Sequence, residues 1–160
     1  MLLWFLGGSL VIVWSVFRDP AIDYRLVMLG ALLPDLVDGP LGGARVFHSV
    51  VTAVAVLTIV MLATIGRRAL RRRWLALAIG VFLHLVLDFA FSDTRAFWWP
   101  FTGLALPDSP LPSIDRGWWS LVLDVAGLAM LVWAYRRFGL ADPERRRLFV
   151  REGRFDRAIV

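Results

Sequence analysis

This 160-residue chain contains two histidines and no cysteine. Both histidines lie near one end of a strongly apolar segment, with carboxylates close by. The stretches are Leu33-Pro34-Asp35-Leu36-Val37-Asp38, Arg45-Val46-Phe47-His48-Ser49 and His84-Leu85-Val86-Leu87-Asp88. Ionisable groups inside a membrane segment are costly and are usually functional. Two imidazoles, several carboxylates and no thiolate suit zinc, manganese or iron better than magnesium or calcium. Asp35, Asp38, His48, His84 and Asp88 are the expected metal ligands, with zinc ranked first. A ligating histidine needs its other ring nitrogen held, often by a carboxylate, so Asp88 fits as a ligand or as the partner of His84. Asp38 and Asp88 are also the candidate general bases. Arg45, three residues before His48, is the candidate clamp for an anionic substrate oxygen, because guanidinium forks match phosphate. A snorkelling interface arginine explains Arg45 nearly as well.

The chain is 59% hydrophobic and 19% charged, with a mean hydropathy of +0.68. Soluble domains are nearer 45–50% apolar and about 25% charged. The expectation is an all-α integral membrane protein. Apolar runs at 2–17, 22–34, 46–65, 74–91 and 118–135 predict a bundle of about five transmembrane helices. The third, fourth and fifth approach the ~20 residues that cross a bilayer. The second is short. The first lacks a basic leader and a small-residue cleavage site, and is expected to be a retained helix. Residues 1–138 form the expected membrane domain and 139–160 a basic cytoplasmic tail.

All 18 basic residues are arginines, and the formal charge is +5. They cluster at 67–73, at 136–137 and in the tail, beside apolar runs, as topology signals do rather than as a nucleic-acid surface does. Placing these clusters in the cytoplasm puts the N-terminus outside, the C-terminus inside, and only Arg45, Arg95 and Arg116 outside. Trp74 and Trp133 then mark inner ends; Trp98, Trp99, Trp118 and Trp119 mark outer ends. The tail mixes arginine with Leu148, Phe149, Val150 and Phe155, which fits an interfacial helix on anionic lipid or a solvated tail equally.

With this topology the unusual polar groups reach one depth. Asp88 lies about 21 Å above Trp74 at ~1.5 Å per residue, and Asp35 about 20 Å above Ile22. His84 and Asp88, four apart, share a helix face. The residue before a proline disfavours helix, so Pro34 is expected to open the chain into a loop carrying Asp35 and Asp38. Each piece has a plainer reading: a helix-tying His–Asp pair, an interface histidine, and loop carboxylates in water. Depth shared by three segments favours the metal site. Asp124, inside the fifth run, could join the site, pair with Arg45 or Arg116, or bond a neighbouring helix. The Pro- and Trp-rich loop 92–117 is long enough for a lid, best placed at 97–106.

Four motifs in order, Leu-Gly-Ala-Leu-Leu-Pro-Asp-Leu-Val-Asp (29–38), Arg-Val-Phe-His-Ser (45–49), His-Leu-Val-Leu-Asp (84–88) and Trp-Trp-Pro-Phe (98–101), resemble a known family. It comprises small inner-membrane metal-dependent hydrolases, also described as LexA-regulated or LexA-binding membrane hydrolases, distantly related to zinc-dependent phospholipase C. The resemblance covers residues 24–103. It implies membrane helices and a divalent metal, and it matches Asp35, Asp38, His48, His84 and Asp88 to the family's polar motif positions. Many members carry a further histidine and arginine ahead of the motif histidine, where this chain has Gly43-Ala44-Arg45, and a histidine where it has Gly39. The expected function is hydrolysis of a phosphoester in a lipid or envelope intermediate, with membrane lipid as partner and no nucleic acid. The rival is a non-catalytic membrane scaffold or partner-binding protein whose His and Asp groups only fix helix packing. A permease is a third reading, disfavoured by the absence of an internal repeat.

Overall fold

The computed structural model describes residues 1–106 and 116–159. They form seven α-helices: α1 (Leu2–Phe17), α2 (Tyr24–Asp38), α3 (Val50–Ala63), α4 (Arg68–Leu87), α5 (Thr94–Phe97), α6 (Trp118–Arg137) and α7 (Pro143–Glu152). Short 3₁₀ turns occur at Gly39–Leu41, Val46–His48, Ala90–Ser92 and Arg157–Ile159. No strand occurs among the described residues, so the all-α expectation holds.

The expected spans change length. Among the described residues, only the 20-residue α6 is long and apolar enough to cross a membrane; α1 and α3 are apolar but have 16 and 14 residues. The third run shortens because Val46–His48 winds into a 3₁₀ turn and Ser49 caps α3, its Oγ accepting the Thr52 N–H at 3.2 Å. The fourth starts earlier than its apolar run. Arg68 to Arg73 join α4, so its first turns are charged.

Pro34 does not open a loop. Helix α2 continues through it to Asp38. A proline inside a helix costs roughly 3 kcal/mol through its missing donor and its clash with the preceding turn. Close packing on α4 offsets that cost. Gly30 and Gly80 meet at the crossing, where a Cβ on Gly30 would strike the Leu77 carbonyl and one on Gly80 the Val27 carbonyl. Small residues let the two backbones touch. Gly7 and Gly127 do the same for α1 and α6. Helix α1 thus lies against α2, α4 and α6, while α3 leans on α4.

The segment after α6 is held against the bundle at its C-terminal end, while helix α7 itself buries no residue. Asp142 caps α7, and Gly153 (φ 74°) turns the chain back toward the bundle. Phe155 is buried, stacked on Phe138 at 3.8 Å and on Phe149 at 5.3 Å, with Tyr24 at 4.6 Å. The Tyr24 N–H donates to Gly153 O at 2.8 Å, and the Phe155 N–H to Pro20 O at 3.0 Å. A lone aromatic in a charged stretch is the anchor. Residues 153–155 thus return to the bundle and dock against Pro20, Tyr24 and Phe138.

Candidate metal centre

The two histidines arrive from different elements and are held from behind. His84 occupies the last turn of α4, where its Nδ1 lies 2.7 Å from the Ala31 carbonyl of α2. A carbonyl can only accept, so Nδ1 carries the proton. Ala31 lies in the turn of α2 that precedes Pro34. Phe5 of α1 stacks on the His84 ring, centroids 4.3 Å apart and planes 26° apart.

His48 lies in the 3₁₀ turn, with Nδ1 2.8 Å from Asp38 Oδ2. The same oxygen accepts the backbone N–H groups of Arg45 and Phe47, each at 2.9 Å. A carboxylate holding two backbone donors stays an acceptor, so Nδ1 of His48 is the donor here too.

Both rings therefore turn a bare Nε2 lone pair inward. These two atoms are 3.3 Å apart. Asp35 Oδ1 lies 3.3 Å from Nε2 of His48 and 3.6 Å from Nε2 of His84, and Asp88 Oδ2 lies 3.8 Å from Nε2 of His48. Asp35 Oδ1 and Asp88 Oδ2 are buried without a hydrogen-bond partner. Four acceptors converge, and one added proton could satisfy only some of them. Unpaired buried acceptors are expensive. A divalent cation relieves all of them together. Metal–nitrogen bonds of ~2.0–2.1 Å at a tetrahedral angle would separate two ring nitrogens by about 3.3–3.4 Å, which matches the observed spacing. Asp35, His48 and His84 form a group that could hold a metal ion.

Three of the five expected ligands thus share one point, and Asp88 borders it. Asp38 stands elsewhere. It sits behind His48, on the Nδ1 side of the ring, and its Oδ2 already serves three donors. Its geometry fits the orienting role that carboxylates play for ligating histidines. Asp88 is not the partner of His84, because the Ala31 carbonyl fills that position. Instead Asp88 Oδ1 pairs with Arg116 Nη1 at 3.2 Å, and Arg116 Nη2 also bonds the Asp88 carbonyl. Asp124 is remote in role: its Oδ1 accepts the N–H groups of Leu3 and Trp4 at 2.9 and 3.2 Å and so caps α1. Arg45 reaches the centre through its backbone N–H to Asp38. Of the expected lid, Phe97 packs on Ala53, Val81, Leu85 and Ala90, while Phe101 and Leu104 are exposed. Residues 107–115 of that loop lie outside the described residues.

Sequence reasoning missed three contributors: the Ala31 carbonyl, Phe5 and the Arg116–Asp88 pair. Only Arg116 left a trace, as one of the few arginines outside the basic clusters. No family model matches the chain, and no curated protein or solved structure is significantly similar to it.

Proposed function

We propose that the chain is a multi-pass protein of the cytoplasmic membrane and a metal-dependent hydrolase acting on a phosphoester of a lipid or envelope intermediate. One observation carries the metal reading: two histidines, each with its Nδ1 proton fixed outward, turn their Nε2 lone pairs on each other at 3.3 Å. His48, His84 and Asp35 would hold the ion, with Asp88 beside them. A bound divalent ion supplies Lewis-acid polarisation of a phosphoryl oxygen and lowers the pKa of a coordinated water to near ~7.

The chain's own groups do the rest. Asp38 holds the His48 tautomer. Asp88 Oδ2, buried and lacking a donor, receives the proton of the attacking water. Arg116 keeps the other Asp88 oxygen engaged, and Arg45 and Arg116 supply positive charge near the phosphate. The family resemblance supports the same reading, and zinc is the metal that best suits the nitrogen and oxygen donors.

The membrane reading rests on surface chemistry. Val54, Leu57, Ile59 and Leu62 of α3 and Leu121, Val125 and Leu128 of α6 are all exposed. Apolar surface on this scale marks an interaction surface or lipid contact. Glycine-mediated crossings are typical of helices packed in lipid. The arginines gather where α2 and α4 begin and after α6 ends, so the positive-inside rule sets that end in the cytoplasm and the metal centre toward the other face. Helices shorter than the bilayer are accommodated by local thinning and flanking anchors.

The test is phosphate release from a lipid phosphomonoester in mixed micelles. Wild type should release phosphate, and His48→Ala and Asp88→Asn should not. Metal-loaded wild type with no release would favour a metal store or carrier. Metal-free protein with unaltered folding in the variants would favour the scaffold.

A further inference from the structure

The opposite end of α2 and α4 carries a second constructed site. A cavity of about 320 Å³ opens there, lined by Asp23, Arg25, Arg72, Arg73, Arg151, Glu152 and Arg154 with Ala21 and Ala69. Its arginines come from three separate parts of the fold: the start of α2, the start of α4, and α7 with its exit. Five guanidinium groups and two carboxylates line the pocket, and Asp19 just outside it pairs with Arg72, which leaves an excess of positive charge. Asp23 organises the wall. It is 4% exposed and holds the Arg25 fork at 3.1 and 3.0 Å and Arg73 Nε at 3.2 Å. Arg25 Nη1 also donates to the Val150 carbonyl at 2.7 Å, which ties the α7 side of the pocket to α2. Arg72 is directed to Asp19 at 2.6 Å, and Arg154 pairs with Glu152 at 3.4 Å. Arg151 contributes a cation that holds no ion pair among the described residues.

A pocket with Arg151 outside any ion pair among the described residues, a net positive charge and room for several heavy atoms suits a phosphate group. Basic pockets between helices on the cytoplasmic side are also where anionic headgroups seat. We propose that this pocket binds a phosphate-bearing anion, from either an anionic phospholipid headgroup or a soluble polyphosphate, and that the anion locks α7 onto the ends of α2 and α4. Nothing in this proposal requires the metal centre to be occupied.

Two probes separate the sources in full-length protein purified in neutral detergent: pyrophosphate, and cardiolipin added to the micelles, with phosphatidylcholine as the neutral control. Binding is read by native mass spectrometry and by the rise in unfolding temperature. Wild type should bind one probe well above the control, and Arg151→Gln with Arg154→Gln should weaken that binding roughly tenfold or more, the scale of losing charge-assisted hydrogen bonds. The two substitutions should leave metal content unchanged. Cardiolipin alone identifies a lipid headgroup; pyrophosphate identifies a soluble anion. Should the double variant lose its helical signal, Arg151→Gln alone replaces it, since Arg151 holds no ion pair among the described residues. Binding no stronger than the control, or equally strong in the arginine variants, overturns the proposal.

Discussion

Helices α2 and α4 run side by side in the same direction, and each carries chemistry at both ends. At their C-terminal ends, acceptors face acceptors: two Nε2 atoms and two carboxylate oxygens converge with no donor among them. At their N-terminal ends the imbalance has the opposite sign, with five arginines around a pocket holding two carboxylates. Each end has a buried aspartate that organises it, Asp38 behind His48 and Asp23 beneath Arg25 and Arg73. One end holds acceptors without donors, and the other holds more arginines than carboxylates. The two ends lie about 16 Å apart along the helix, taken as Arg73 to His84 at ~1.5 Å per residue.

Substitutions can break that contrast one end at a time. The largest effect is expected at the metal end: His84→Ala should abolish metal binding, read by elemental analysis, while anion binding at the arginine pocket persists. Phe155→Ala should act on the other end. Removing a stacked, buried phenylalanine typically costs about 3–5 kcal/mol, so α7 should become protease-sensitive and the unfolding temperature should fall with metal content intact. Asp38→Asn leaves the ligands in place but loosens the His48 tautomer, and metal affinity should drop about 10–100-fold in competition with a chelator.

A substitution between the ends should couple them. Gly80→Ala pushes a methyl group toward the Val27 carbonyl, and overpacking of this kind costs about 1–3 kcal/mol. Thermal unfolding should register that loss, with metal and anion binding both weakened.

The smallest effect is electrostatic and belongs to the arginine end. Burial alone would raise the Asp19 carboxyl, but the Ala21 N–H and the Arg72 guanidinium outweigh it and hold it below its ordinary value of 3.8. A folded-state pKa below the unfolded one gives stability that is present above 3.8 and lost as pH falls through the lower value. Asp19→Asn should lower stability slightly at neutral pH and leave it unchanged in acid, so that unfolding curves recorded from pH 7 downward show a flatter pH dependence than wild type.

The donor set was legible in the sequence because ionisable residues stand out against apolar runs, and the joining of His48 to His84 followed from matching depth. Their supports were not. Which nitrogen a carboxylate touches depends on ring orientation, so Asp38 and Asp88 could not be sorted in advance. The Ala31 carbonyl has no side chain to announce it. Pro34 misled because local preference ends a helix there, whereas packing at Gly30 and Gly80 carries α2 onward. Phe155 reads as an isolated aromatic until Phe138, Phe149 and Tyr24 close around it. The arginine pocket draws on residues more than a hundred positions apart, and nothing in their local spacing joins them.

The central claim is that His48 and His84 face each other in order to share an ion. Elemental analysis of detergent-purified protein tests it directly, with wild type beside His48→Ala and His84→Ala. Stoichiometric divalent metal in wild type, absent from both variants, is the predicted result. Folded wild type that stays metal-free after exposure to zinc, or variants that retain the metal, would contradict it.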